Sequence, residues 1–468
     1  MLIHTMHRRI ILTITLALGY LALWATDFET ATTAVANMRL GWNLGNTLDT
    51  HSSDVNNMWI EKYTSRTPSD YEKAWGQPVT KPELFKMFKE AGFNAIRVPV
   101  TWYPHMEAKF QLNGTVWDTA NDDIGTKIQA AWMNRVHEIV DYVISQGMYC
   151  ILNIHHDTGA ANTAWLVASE ADYTKQKERF EAVWKQIAEE FKDYDEHLLF
   201  EGYNEMLDPY DSWCFASFGT SSKYNASVAS SAYKAINSYA QSFVDAVRST
   251  GGNNAQRNLI VSTYGACSGS GTWNTYLQDP LRQMKLPTDN VSNHIIFEVH
   301  SYINIVNLNS AKSEASQMMR DLKSYLVAKG APVIFGEWGT SGVDAGDYDK
   351  YRSNVLAYAR YFVEQAKANQ MGTFYWMGLS DGNSRSVPEF NQADLKEALV
   401  KGYYGEEGFS GIKHQTSDIL HQTSVYDLQG RKVSESKNAC YTSTFRLKKG
   451  LNIVRTSNGY KKVLVQMQ

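Results

Sequence analysis

The chain has 468 residues, 43% hydrophobic and 12% aromatic, which is ample for a large core. Forty-five Lys and Arg against 49 Asp and Glu leave a formal net charge of -4, so there is no global basic signal for nucleic acid or an anionic membrane. Thirteen Trp and 27 Tyr offer flat faces suited to sugar rings, although most aromatics in any protein are simply core.

The first element is the apolar run IILTITLALGYLALWA, preceded by His7-Arg8-Arg9 and ending at Ala25. It is shorter than the roughly 20 residues that span a bilayer, and its basic flank fits an export signal over residues 1–25. Leu23 stands where a small residue usually precedes cleavage, and an uncleaved anchor is the alternative. The four cysteines, Cys150, Cys214, Cys267 and Cys440, show no CxxC spacing and so no zinc or redox motif. Cys214 and Cys267 follow successive predicted strands, a placement that permits a disulfide.

From residue 38 short apolar runs alternate with helical periodicity. The strand candidates are MRLGWNLG, FNAIRVPV, MYCILNIHH, HLLFEGYNEM, RNLIVSTYGA, HIIFEVHSY, PVIFGEWGT and GTFYWMGLS. Helix candidates between them include KPELFKMFKEAG, AAWMNRVHEIVDYVISQG, YTKQKERFEAVWKQIAEEFKDY and MMRDLKSYLVAKG, and QADLKEALVKGYYG follows the last strand. Eight strands, each followed by a helix, predict an α/β fold, a closed (β/α)8 TIM barrel over residues 26–405. A doubly wound open sheet is the alternative. Residues 406–420 read as a polar linker, and 421–468 alternate with period two between turn signals, which predicts a small β-sandwich.

In a barrel, chemistry sits at the C-terminal strand ends. Asn43, Arg97, His155, Asn204, Glu205, His300, Tyr302, Glu337 and Trp376 all fall there. Alternation along HLLFEGYNEM puts Glu201, Tyr203 and Glu205 on one face, with Glu201 deeper and paired inside the barrel as a structural carboxylate. Glu205 and Glu337 end different strands. Two such carboxylates are what glycoside hydrolysis requires, one to protonate the leaving oxygen and one to attack the anomeric carbon or activate water. The adjacent His155 and His156 invite a metal reading, but successive strand side chains face opposite ways, so no metal and no cofactor is expected.

These segments carry a resemblance. GWNLGNTLD, AWGQPVTK, GFNAIRVPVTW, NIHHD, FEGYNE, HSY, GEWG and YW, in this order over residues 38–405, resemble glycoside hydrolase family 5, and most closely its subfamily 4 endoglucanases. The resemblance implies a retaining hydrolase of β-linked glycans with Glu205 as acid/base and Glu337 as nucleophile. It implies that Arg97 and Tyr302 support Glu337, that Asn204 holds a sugar hydroxyl, and that His155 and His300 shape the adjoining subsite. Trp376 is the implied sugar platform, and Asn43 and His156 complete the substrate-binding set. Gln77 stands where Asn is common, Met206 where Pro is common, and MGLSDGNSRSVPEF follows Trp376 where DNG usually stands directly behind the Trp.

The C-terminal pattern VYDLQGRKV, LKKGLNIV and GYKKVLVQ is similar to sorting domains of the bacterial type IX secretion route, with Asn452 in place of the usual Tyr. An accessory β-domain is the alternative. The expectation is therefore a secreted or cell-surface monomer whose partners are a polysaccharide substrate and the secretion machinery, with no nucleic acid and no membrane span after signal removal. Cellulose, mixed-linkage glucan or xyloglucan is the expected substrate. A mannanase or xylanase of the same fold, or a non-catalytic glycan-binding barrel, are the alternatives.

Overall fold

The computed structural model describes residues 27–107, 111–120, 125–212, 224–272, 274–343, 349–421, 423–426, 432–436, 450–456 and 459–465, with side chains up to 412. The expected signal segment and Cys214, with its proposed pairing to Cys267, lie outside the described residues.

Eight parallel strands close into a barrel: β1 Gly41–Asn43, β2 Ala95–Val98, β3 Tyr149–Asn153, β4 Leu198–Glu201, β5 Leu259–Cys267, β6 Ile295–Asn304, β7 Val333–Ser341 and β8 Gly372–Tyr375. β1 pairs with both β2 and β8, so the closed sheet anticipated from the strand count is present and the open sheet is excluded. Each strand is followed by a helix: α1 Pro82–Glu90, α2 Ala130–Ile144, α3 Glu170–Glu190, α4 Ala226–Arg248, α5 Asp279–Gln283, α6 Leu308–Tyr325, α7 Arg352–Ala368 and α8 Ala393–His421. Local signals set the starts. Pro82 occupies the first turn of α1, while Ser169, Asn225 and Asn307 accept backbone N–H bonds at the heads of α3, α4 and α6.

The strands are buried on both faces, as their continuous apolar runs require. Inside the barrel Ile151, Leu199, Ile260, Ile296, Ile334 and Phe374 form a separate apolar cluster, closed by Ala31 and Val35 of the short helix Ala31–Asn37. Gly41 is required beside this plug, because a Cβ there would overlap the Phe374 ring. The larger core lies between strands and helices.

α8 breaks at Gly405 (φ 73, ψ 178) and resumes, so residues 406–420 are helical where a polar linker was expected. The reason lies in the first two turns after the break. Phe409 is 6% exposed and joins the large core, and Ile412 packs against it, so this stretch has an apolar face to bury. Beyond it, Thr423–Tyr426, Lys432–Ser436, Gly450–Thr456 and Gly459–Val465 pair antiparallel as one four-stranded sheet, in the order second, first, third, fourth. The segments joining these strands lie outside the described residues.

Candidate active site

Arg97 on β2 is fully buried and stands at the centre of the site. Its Nε and Nη2 donate to Glu201 Oε2 and Oε1 at 2.6 and 2.7 Å, Nη1 donates to Glu337 Oε1 at 2.9 Å and Asn43 Oδ1 at 3.0 Å, and Nη2 also reaches Asn204 Oδ1 at 2.7 Å. Glu298 Oε1 lies 3.4 Å from Nε. Burial disfavours the guanidinium charge, but Glu201, Glu298 and Glu337 outweigh it and hold Arg97 protonated.

Glu337 reaches the site through a bulge in β7. Val299 pairs with Phe335 and His300 with Glu337, so Gly336 is an extra residue. Phe335 and Trp338 both point outward onto Phe362, at 4.9 and 4.2 Å, which leaves Gly336 and Glu337 together on the inner side. Glu337 Oε2 accepts from Tyr302 Oη at 2.8 Å, and its side chain is 6% exposed. Burial of the phenol and the adjacent carboxylate keep the Tyr302 hydroxyl protonated, its pKa raised well above the ordinary tyrosine value.

Glu205 follows β4. The strand ends at Glu201, so the expected shared face of Glu201, Tyr203 and Glu205 does not hold. The Tyr203 hydroxyl turns outward to the carbonyl oxygens of Ile236 and Ser262, while Glu201 points in to Arg97, as the structural carboxylate it was expected to be. Glu205 keeps 23% of its side chain exposed, and its Oε1 lies 2.7 Å from His300 Nδ1. Burial raises the Glu205 pKa, opposed by the hydrogen bond and charge of His300. One oxygen each of Glu205 and Glu337 and a ring nitrogen of His300 lie within 4.8 Å of one another.

His155 is held in one tautomer. Asn153 Oδ1 accepts from Val100 N, so its Nδ2 donates to Glu201 Oε1 at 2.8 Å and faces His155 Nδ1 at 3.1 Å. That nitrogen must accept, which places the proton on Nε2, 3.7 Å from Glu337 Oε1. Burial first, then neighbouring His156 and Arg97, push the His155 pKa well below 6.5 and keep the ring neutral.

Trp376 leaves the end of β8 with its ring parallel to His155, 5.9 Å between centroids and 6° between planes. Gly45 allows that position, because a Cβ there would lie 2.9 Å from the indole. The loop behind it is anchored. Trp42 Nε1 donates to Met377 O at 2.6 Å, and buried Arg385 donates to Gly45 O and Thr47 Oγ1, both at 2.9 Å. Gln77 Oε1 accepts from Gly382 N at 2.9 Å, which ties its side chain to this loop.

Asn43 and Arg97, grouped by sequence with the substrate contacts, are both fully buried beneath the cleft. Asn43 Nδ2 is spent on strand carbonyls and its Oδ1 on Arg97, so both residues support the site rather than line it. His155 and His156 do not face opposite ways as strand alternation predicts, since β3 ends at Asn153. Their rings lie 4.5 Å apart, and Asp49 comes within 4.8 Å of both. Asp49 accepts N–H bonds from Asn46 and Thr47, which commits its two oxygens to the turn after β1. Two further polar residues that the sequence reading did not single out join the site. They are Asn153 and Glu298, both fully buried.

A barrel with one carboxylate after β4 held by a histidine and another on β7 held by an arginine and a tyrosine defines a glycoside hydrolase. The cellulase family, glycosyl hydrolase family 5, matches residues 53–381, and the chain belongs to it. It is 30% identical over 404 residues to endoglucanase A of Clostridium longisporum, covering 81% of this chain and 67% of that protein. Among solved structures, a subfamily 4 broad-specificity endoglucanase from an uncultured bacterium is 52% identical with TM-score 0.74, covering 82% of this chain and 98% of that one. A family 5 enzyme of Prevotella bryantii, in complex with a xyloglucan tetradecasaccharide, is 37% identical with TM-score 0.66, covering 80% and 99%.

Proposed function

We propose that the chain is a retaining endo-β-1,4-glucanase that cleaves plant cell-wall glucans by double displacement. The observation that carries this reading is the close approach of Glu205 and Glu337, with oxygens within 4.8 Å. Retention needs carboxyl groups about 5–5.5 Å apart, whereas inversion needs roughly 6.5–9.5 Å to admit a water. In the first step Glu205 gives its proton to the leaving oxygen while Glu337 attacks the anomeric carbon and forms an α-glycosyl-enzyme. In the second, ionised Glu205 takes a proton from water, which attacks the same carbon and releases a β-configured sugar. Arg97 and Tyr302 each donate a hydrogen bond to Glu337 and so aim it. Asn204 Oδ1 is engaged by Arg97, which turns its amide N–H2 outward as a donor for a sugar hydroxyl.

The broad-specificity endoglucanase and the xyloglucan complex among its relatives support a glucan backbone as substrate, with side-chain tolerance. Digestion of cellulose, mixed-linkage glucan, xyloglucan, mannan and xylan, with products sized, tests this. Internal cuts in the glucans are expected, and cleavage confined to mannan or xylan would refute it. The roles separate in azide. Glu205→Ala should yield a β-glycosyl azide from an activated aryl glycoside and Glu337→Ala an α-azide, and the reverse pattern would exchange the assignment. Export rests on the apolar N-terminal run and the sorting-like C-terminal pattern, and loss of secretion from a type IX host on deleting 421–468 is the outcome expected.

A further inference from the structure

Glu298 is a buried carboxylate with no part in the two displacement steps. It sits on β6, two residues before His300, and is fully buried. Its Oε2 accepts from Ser262 Oγ at 2.6 Å, while Oε1 lies 3.3 Å from His300 Nε2 and 3.4 Å from Arg97 Nε. The bulge residue Gly336 makes room for it, because a Cβ there would overlap Glu298 Oε1. The glycine beside the nucleophile therefore serves the carboxylate behind the histidine. His300 in turn has its other nitrogen on Glu205.

We propose that Glu298 is a positioning residue that keeps the proton on His300 and thereby sets the pH range in which Glu205 works as an acid. The inference rests on the acid/base role proposed for Glu205. The chain Glu298, His300, Glu205 is linear in its contacts. A carboxylate at Nε2 favours the doubly protonated ring, which then donates Nδ1–H to Glu205. The groups that face His300 favour the charged ring on balance. Glu205 after β4 and Glu337 on β7 are carboxylates at Nδ1, at 2.7 and 3.6 Å. Tyr302 on β6 stays a neutral phenol donating to Glu337, and Cys267 of β5 pairs with His300 in the sheet. Arg97 on β2 opposes the imidazolium, but Glu201 on β4 takes two of its donors. His155 after β3 is neutral. Burial works against the charge, yet Glu337 and the hydrogen bonds to Glu205 and Glu298 raise the His300 pKa to about 10.

The consequence is a division of one proton between two groups. When the pair has lost its first proton, a charged His300 leaves Glu205 ionised, which ends its use as an acid. If His300 is made easier to neutralise, that remaining proton moves to Glu205, and the acid form persists to higher pH. Glu298→Gln should therefore move the basic limb of kcat/KM on a glucan upward by about half to one pH unit. An aryl glycoside whose phenol leaves unaided should show no such movement, and Glu298→Asp, which keeps the charge, should return the limb toward the wild type. A purely structural role would lower both activities at all pH values and leave the limb in place, which would overturn the proposal. Nitrogen NMR of the wild-type histidines needs no variant of Glu298 and no activity. Both His300 ring nitrogens should be protonated at pH 8, and a neutral ring there would overturn the proposal whatever the substrate proves to be. No glucan hydrolysis by the wild type, with His300 charged, would instead refute the proposed function alone.

Discussion

Arg97 spends all five of its N–H donors on Glu201, Glu337, Asn43 and Asn204. A lysine has three donors on a flexible stem and cannot reproduce that fork. Arg97→Lys should cost at least about 100-fold in kcat/KM through lost orientation of Glu337, and Arg97→Met, which leaves buried Glu201 without its cation, should cost about 3–5 kcal/mol of stability. Steady-state kinetics and urea unfolding read the two effects. Trp376 acts by contact. Trp376→Ala should lower kcat/KM by roughly 2- to 12-fold, the equivalent of about 0.5–1.5 kcal/mol of aromatic contact, with unfolding unchanged. His300 links stability to pH. Its folded pKa of about 10 lies above the unfolded value of about 6.5. Its contribution is therefore complete below pH 6.5 and is lost as pH rises to about 10. The stability advantage of the wild type over His300→Asn should shrink across that window in thermal unfolding. At this scale both carboxylates and their neighbours were legible in the sequence, because a polar side chain closing an apolar strand of a barrel stands at the mouth, where chemistry sits. Glu298 was missed although it is as visible as Glu201, since each is a charge inside an apolar run, in HIIFEVHSY and HLLFEGYNEM.

Among the elements, all eight strands coincide with the short apolar runs, because a parallel strand buried on both faces has no other pattern to show. What the runs hid was where each strand stops and bends. β4 ends at Glu201 and β3 at Asn153, so alternation could not be extended to Tyr203, Glu205 or His156. The β7 bulge had a visible cue in Gly336, since an isolated glycine in a strand often marks one. The close contact of β1 and β8 is testable. Gly41→Ala should destabilise by about 1–3 kcal/mol through overlap with Phe374, as inserting carbon into a packed core does. In a Phe374→Ala background the same substitution should cost much less, and an unchanged cost in the double-mutant cycle would show that the two do not share one space.

For the whole molecule, the barrel's boundary runs past the point where the sequence turns polar. Gly405 and the Ser, Thr and His residues after it disguised a helix whose apolar residues are few and widely spaced. Phe409 is nevertheless buried in the large core, and Tyr404 Oη donates to Gly92 O at 2.7 Å. A chain ending at residue 421 should keep full activity on soluble glucan. One ending at 408 should lose about 1.5–3 kcal/mol from the exposed face that Phe409 covers, seen as a lower unfolding midpoint, and equal stability of the two would remove α8 beyond Gly405 from the barrel. The proposed retention rests on the short separation of Glu205 and Glu337 and on their different partners. Proton NMR of the anomeric signals during the first minutes of hydrolysis of a soluble β-glucan tests it most directly. The β-anomer should appear first and the α-anomer only later by mutarotation, whereas an α-configured first product would contradict the double displacement.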